Sequence, residues 1–158
     1  MPNFKGKFIL QFIIDVLVLG ILFTILFRVI GAVLCSNLEG TDVCLPIVLC
    51  SLLGNVLAAG IAVFITQNTL SKKGITDAPQ PYPFYLIVAA VLIAMNICFT
   101  VMGFSVLEGW CRNNISVTVP ADTIRPAVRN AVIVSDIVQT VLHLAFVPLW
   151  KKHHERLF

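Results

Sequence analysis

The chain carries little charge. Asp, Glu, Lys and Arg make up 12% of its 158 residues, whereas a soluble globular domain carries about 25%. Hydrophobic residues make up 58%. A chain of this composition has too little polar surface to fold as a water-soluble domain or to bind nucleic acid. We therefore expect a membrane protein with no nucleic-acid partner.

Catalytic and cofactor motifs are also missing. The chain has no CxxC pair, no GxSxG nucleophile elbow, no GxxxxGK[ST] phosphate loop and no HExxH zinc motif. Only one of its three histidines, His143, falls inside an apolar stretch, which excludes a haem held by two membrane-embedded histidines. His153 and His154 lie in a basic tail, where we expect a solvated chain end rather than a metal site. We expect no cofactor and no metal, and an enzyme is the least favoured class.

The chain does have four long apolar stretches, at about residues 8–34, 46–65, 85–106 and 128–150. A helix of about 20 apolar residues crosses a bilayer, and each stretch is long enough. The connecting segments are too short to hold another domain. The sequence therefore predicts an all-α integral membrane protein, with four transmembrane helices in a single transmembrane domain over residues 1–158.

Basic residues are placed unevenly around these stretches. Seven of them precede the first stretch or follow the second and fourth: Lys5, Lys7, Lys72, Lys73, Lys151, Lys152 and Arg156. The other two loops carry three: Arg112, Arg125 and Arg129. The positive-inside rule then predicts an N-in/C-in protein of the plasma (cytoplasmic) membrane, with both termini cytoplasmic. Tyr85 and Trp150 are expected at the level of the lipid headgroups.

The two halves of the chain are weakly similar. A shift of 76 residues, from 21 to 97, places Ile21, Phe23, Thr24, Cys35 and Asn37 on Ile97, Phe99, Thr100, Cys111 and Asn113. Each half also ends in a Lys-Lys pair. We expect two tandem helical hairpins, over about 7–73 and 82–152, related by an axis along the membrane normal. The alternative is that apolar helices resemble one another by composition alone.

Three of the five cysteines fall on the predicted outer side: Cys35, Cys44 and Cys111. If that side is oxidising, a disulfide Cys35–Cys44 or Cys35–Cys111 can form. Either pairing leaves one of the three thiols free. The two remaining cysteines lie within the apolar stretches, where we expect them to serve as packing residues.

The strongest functional signal is a polar stripe in the fourth stretch. Asp136, Gln139, Thr140 and His143 recur at spacings of three and four residues, so they share one face of a helix. A charge at the middle of the bilayer costs about 2.5–3.5 kcal/mol on insertion scales. We therefore expect this stripe to face the bundle interior, water or a partner helix. The same stretch is predicted to become helical at or just after Pro126.

The other three stretches add polar residues of their own. They are Asp15, Arg28, Asn55 and Asn96. Asp15 matches His143 in depth, and Arg28 is placed to reach Asp136 or the outer headgroups. Two interpretations stay open. Either Asp136 and His143 belong to a proton or cation path, or the pairs Asp15–His143 and Arg28–Asp136 fix the helix register.

Together these features favour a small transporter or channel protomer that acts as an oligomer. In this hypothesis the polar stripe lines the pathway of a small solute or ion. The chain is too small to enclose a wide pore alone, so further copies or a larger membrane complex are expected partners, besides the lipid bilayer. The alternative is a non-catalytic accessory or structural subunit of a larger membrane complex.

Overall fold

The computed structural model describes residues 4–75, 81–115 and 118–158, and in this part of the chain every regular element is helical. The helices are α1 (Phe4–Cys35), α2 (Cys44–Lys72), α3 (Pro81–Met102), α4 (Phe104–Asn113) and α5 (Ala121–Leu157). A 3₁₀ turn at Gly40–Val43 leads into α2. Four of the helices, α1, α2, α3 and α5, are long and apolar enough to cross a membrane. The predicted all-α class with four candidate spans is confirmed.

Helix α2 is the central helix. It packs against α1 and α5, and α5 packs in turn against α3. Residues along the whole of α2 are buried, whereas α1 buries only Phe4, Phe8, Gly31 and Cys35. The exposed apolar side chains of α1 suit a lipid environment, because lipid tails are as apolar as these side chains.

Helices α2 and α5 come close together at Gly60. A Cβ atom on this residue would lie 2.7 Å from the ring of Phe146. Nearby, Trp150 Nε1 donates a hydrogen bond of 3.0 Å to the Gly60 carbonyl, and Gln67 Nε2 donates one of 2.9 Å to the Trp150 carbonyl. The Phe146 ring stacks on Trp150 with 5.6 Å between centroids. A small residue is therefore needed at position 60 for the two helices to pack this closely.

The interior contains two apolar clusters, one towards each end of the bundle. The terminal cluster lies at the end that holds Phe4 and Phe158, and it includes Phe8, Val63, Tyr85, Val147 and Trp150. The α4 cluster lies at the opposite end and includes Val48, Leu107, Cys111, Val128 and Ala131. On α5 the α4 cluster ends at Ala131 and the terminal cluster begins at Val147. The buried face of α5 between these two residues is polar.

Helix α5 begins earlier than expected. It starts at Ala121 rather than at Pro126, and Thr123 Oγ1 donates a hydrogen bond of 2.7 Å to the Pro120 carbonyl in the first turn. Pro126 lies in the second turn, where its missing N–H removes one intrahelical hydrogen bond, and α5 continues through it. The expected helix start at Pro126 is therefore wrong.

The third apolar stretch is also divided differently from the prediction. Helix α3 ends at Met102, and the short helix α4 follows after Gly103. A Cβ atom on Gly103 would lie 2.7 Å from the Phe99 carbonyl oxygen. This glycine therefore permits the interruption between α3 and α4, in a segment where a continuous span to residue 106 was expected.

The contact at Gly60 gives a testable prediction. Gly60→Ala should destabilise the protein by about 1–3 kcal/mol, because the new methyl group meets a ring that is held by stacking. The matched control is Gly20→Ala on α1, where a Cβ atom has nothing within 4 Å. Thermal unfolding in detergent should show a lower Tm for the first variant only. Equal Tm values for the two variants would contradict the close approach of α2 and α5.

Candidate functional site

Four polar residues lie on the buried face of α5 between the two clusters. We call Ser135, Asp136, Gln139 and His143 the polar file. Ser135, Gln139 and His143 have no exposed surface, and Asp136 is half-buried. The sequence predicted three of the four. Ser135 was missed, although it lies four residues before Gln139 on the same helix face and the spacing alone would have included it.

Several atoms of the polar file lack a partner. Among the described residues, five of its buried atoms have no partner within hydrogen-bond geometry: Ser135 Oγ, Asp136 Oδ1, Gln139 Nε2, Gln139 Oε1 and His143 Nε2. The Gln139 side chain nevertheless lies close enough to the Asp136 carboxylate to interact with it. His143 Nδ1 donates a hydrogen bond of 2.9 Å to the Gln139 carbonyl, so the neutral ring presents Nε2 as an acceptor. A buried polar atom without a partner costs about 1–3 kcal/mol. Water or a polar solute would relieve this cost.

Thr140, the fourth residue of the predicted stripe, behaves differently. Its hydroxyl donates a hydrogen bond of 2.7 Å to the Asp136 carbonyl of the same helix. This bond satisfies the hydroxyl without any outside partner. Thr140 therefore lies beside the polar file without adding an unsatisfied group to it.

Helix α3 contacts the polar file through Thr100. Its hydroxyl, which is fully buried, lies 3.1 Å from Asp136 Oδ2 and 2.9 Å from the Ile97 carbonyl, so one proton faces two acceptors. Thr100 also lines an open groove of about 800 Å³ between α3, α4 and α5. Because Thr100 has no exposed surface, this side chain separates the groove from Asp136. In the sequence, Thr100 stands out only as the repeat partner of Thr24, and no pattern marked it as a site residue.

Aromatic rings close the other end of the polar file. Tyr85 and Trp150 are fully buried, with 6.2 Å between their ring centroids. The Tyr85 hydroxyl forms a hydrogen bond of 2.9 Å with His154 Nδ1. His154 is only 2% exposed, so the expectation of a solvated chain end is wrong for this residue. The reason is that α5 continues to Leu157, which places His154 one turn beyond Trp150 on the buried face.

The polar residues of α1 contact α2 and α4 rather than the polar file. Asp15 accepts hydrogen bonds from Thr66 Oγ1 at 2.7 Å and Gln11 Nε2 at 3.0 Å. The Arg28 guanidinium lies over the ring of Trp110, 4.5 Å from its centroid. The pairs Asp15–His143 and Arg28–Asp136 therefore do not form. The physical reason is that α1 packs along α2 and meets α5 at its Phe4 end, away from the polar file.

The two predicted asparagines lie apart from the polar file. Asn55 is half-buried and lines a cavity of about 230 Å³ together with Thr24, Arg28, Ser51 and Trp110. Asn96 is half-buried on α3 and forms no hydrogen bond within the described part of the chain. The structure thus divides the predicted intramembrane polar residues into separate groups.

The three predicted disulfide cysteines converge. Cys35, Cys44 and Cys111 are all buried in the α4 cluster, and each is a free thiol. Burial raises the pKa of the Cys111 thiol well above its ordinary value. A buried protonated thiol reacts slowly. The disulfide stays a prediction.

Within the described ranges, no three His, Cys, Asp or Glu side chains are placed to hold a metal ion.

In comparisons with known proteins, the chain matches no family model, no curated protein and no solved structure. Fold and composition define a helical protein with four candidate membrane spans. Its function is therefore inferred from the geometry of the polar residues.

The contact between Asp15 and Thr66 predicts an energetic coupling. In a double-mutant cycle, Asp15→Asn and Thr66→Val should be non-additive by about 0.5–3 kcal/mol, because the two side chains share one hydrogen bond. Asp15→Asn and His143→Ala should be additive within about 0.5 kcal/mol. Unfolding in mixed micelles measures both cycles. The reverse pattern would mean that α1 packs against α5.

Proposed function

We propose that the protein is a small transporter or channel protomer, and that the polar file forms part of its path for protons or a small solute. The observation that carries this proposal is the set of five buried polar atoms without partners between Ser135 and His143. They extend over about 12 Å of helix. Among the described residues, no side chain of α2 forms a hydrogen bond with any of these atoms.

The free energies favour a path over a purely structural role. Side chains that fix a helix register do so by pairing. The expected pairs Asp15–His143 and Arg28–Asp136 are absent, and of the polar file only Asp136 has a described hydrogen bond to another helix, from Thr100. Five unsatisfied atoms at about 1–3 kcal/mol each would be a large cost for a bundle of this size. Apolar side chains of similar volume would avoid this cost. A hydrated file explains why polar residues occupy the position.

The surroundings of the polar file support a path that is closed at one end. The groove approaches Asp136 through Thr100, whereas Tyr85, Trp150 and His154 cover the end beyond His143. Passage then requires the terminal cluster to rearrange. Gln139 and His143 are buried within a single chain, so in this proposal the path lies inside each protomer rather than between copies.

We also propose the predicted topology of two tandem hairpins with both termini cytoplasmic. The order of packing is α1, α2, α5, α3, which suits two hairpins around an axis between α2 and α5. The rings of Phe4 and Phe158 are 5.5 Å apart, as expected when both termini lie on one side. The basic residues remain the argument for the cytoplasmic side and the plasma membrane.

The alternative is a non-catalytic subunit of a larger membrane complex, and the exposure of α1 favours it. This helix packs on α2, meets α3 and α5 at Phe4 and Phe8, and leaves most of its remaining apolar surface uncovered. Native mass spectrometry of the gently solubilised protein distinguishes the two functions. The transporter proposal predicts a homo-oligomer. Stable recovery with a larger, unrelated subunit would instead favour the accessory role.

Flux measurements test the path directly. Purified protein in liposomes with an entrapped pH dye should conduct protons under an imposed membrane potential. His143→Leu and Gln139→Leu should lower that flux at least tenfold, because an apolar side chain interrupts the chain of hydrogen-bonding groups. Asp136→Asn keeps the size of the side chain and should reduce the flux through loss of the titratable group.

Leu144→Ala is the matched control for these variants. Leu144 is the next residue on α5 but lies on its exposed face, at 49% exposure. The Leu144→Ala variant should conduct protons like the parent protein. If the file variants insert and fold normally and also conduct like the parent, the polar file is not the path.

A further inference from the structure

The groove that reaches Thr100 has an apolar floor and a basic rim. Val101, Phe104, Val132 and Ile133 supply apolar surface from α3, α4 and α5. Three arginines surround this surface: Arg112, Arg125 and Arg129. The volume of about 800 Å³ falls in the range of about 300–1,000 Å³ that is typical of small-molecule sites.

The acidic residues of the groove do not neutralise these arginines. Glu108 pairs with Arg112 at 2.7 Å. Asp122 lines the same groove but forms no ion pair with an arginine in the described part of the chain. It lies in the first turn of α5, where the helix dipole already favours a negative charge. Two arginines of α5 are therefore left without a carboxylate.

Arg125 and Arg129 are neighbours on one helix face. They are four residues apart, a spacing at which like charges repel. The Arg125 guanidinium lies 5.9 Å from the centroid of the Phe104 ring, and Arg129 has no hydrogen bond or ion pair among the residues described. An anion placed between the two guanidinium groups would relieve their repulsion and satisfy their N–H donors.

We propose that this groove binds a phosphate group, held by Arg125 and Arg129, with an attached apolar chain on the floor of the groove. Guanidinium is planar and donates two parallel hydrogen bonds to a phosphate, which suits it to this ligand better than an ammonium group. The apolar floor adds contact area for an acyl chain. The shared chemistry is that of a phosphate ester, whether it comes from a membrane lipid or from a soluble compound.

The depth of the site agrees with a lipid headgroup. Helix α5 has 37 residues and is about 55 Å long, which exceeds the hydrocarbon thickness of about 30 Å. Arg129 lies about 10 Å along the helix from Asp136, towards the α4 end. The groove therefore lies near the boundary between hydrocarbon and headgroups when the polar file lies in the middle of the membrane. The inference concerns the groove alone and does not require a hydrated file.

The test is a binding titration of the full-length protein in a nonionic detergent, followed by native mass spectrometry. The probes are dioctanoyl phosphatidic acid, glycerol 3-phosphate and dioctanoyl glycerol, which separate the lipid, the free phosphate ester and the apolar chain. Arg125→Gln/Arg129→Gln should weaken binding of the phosphate-bearing probe at least tenfold. Lys151→Gln/Lys152→Gln removes the same charge from the other end of α5 and should leave binding unchanged.

Each outcome decides the proposal. Arginine-dependent binding of phosphatidic acid alone supports a lipid ligand, and equal arginine-dependent binding of glycerol 3-phosphate supports a soluble one. Binding that is unchanged in the arginine variant overturns the site, as does an equal loss in the lysine variant. If the double variant fails to fold, Arg129→Gln replaces it, since that side chain is exposed and forms no hydrogen bond or ion pair among the described residues. Proton flux does not enter this test, so it can fail while the path survives.

Discussion

Trp150 forms two of the four hydrogen bonds that join α5 to α2 among the described residues: it donates to the Gly60 carbonyl, and its own carbonyl accepts from Gln67. Gly60 makes this contact possible, because any side chain there would meet the ring of Phe146. Once α5 is held in this orientation, its polar face must point into the bundle. The positions of Ser135, Gln139 and His143, and the closure of the terminal end by Trp150, all follow from the same contact.

The apolar clusters and the polar file lie in different layers of the bundle. The terminal cluster and the α4 cluster supply apolar packing, while the polar file between them costs free energy that packing has to offset. A protein of this kind is stable because its ends are well packed. Any passage through it would have to loosen the terminal cluster, where Tyr85 and His154 share a hydrogen bond. In the proposed path, the rings that close one end are thus also part of the core.

What the sequence could predict depends on whether a feature is local. The spans and the polar face of α5 follow from apolar length and from spacings of three and four residues, so Gln139 and His143 were found. Which residues lie next to the polar file depends on which helices contact α5, and this cannot be read from local spacing. Asp15 was expected near α5 but contacts Thr66 on α2, and Thr100 was noted as a repeat match of Thr24 but not as a site residue.

The groove was missed for the same reason. Arg112, Arg125 and Arg129 were read only as topology charges, because their convergence depends on α4, a helix that begins after Gly103 in a segment expected to continue the third span.

The most direct test of the central claim is whether water reaches the polar file. Water-edited solid-state NMR of the protein in lipid bilayers measures this at the side-chain nitrogens of Gln139 and His143. The account predicts rapid transfer of magnetisation from water to both, with little to the indole nitrogen of Trp150, whose N–H is already bonded to Gly60. Transfer to Gln139 and His143 as slow as that to Trp150 would contradict it.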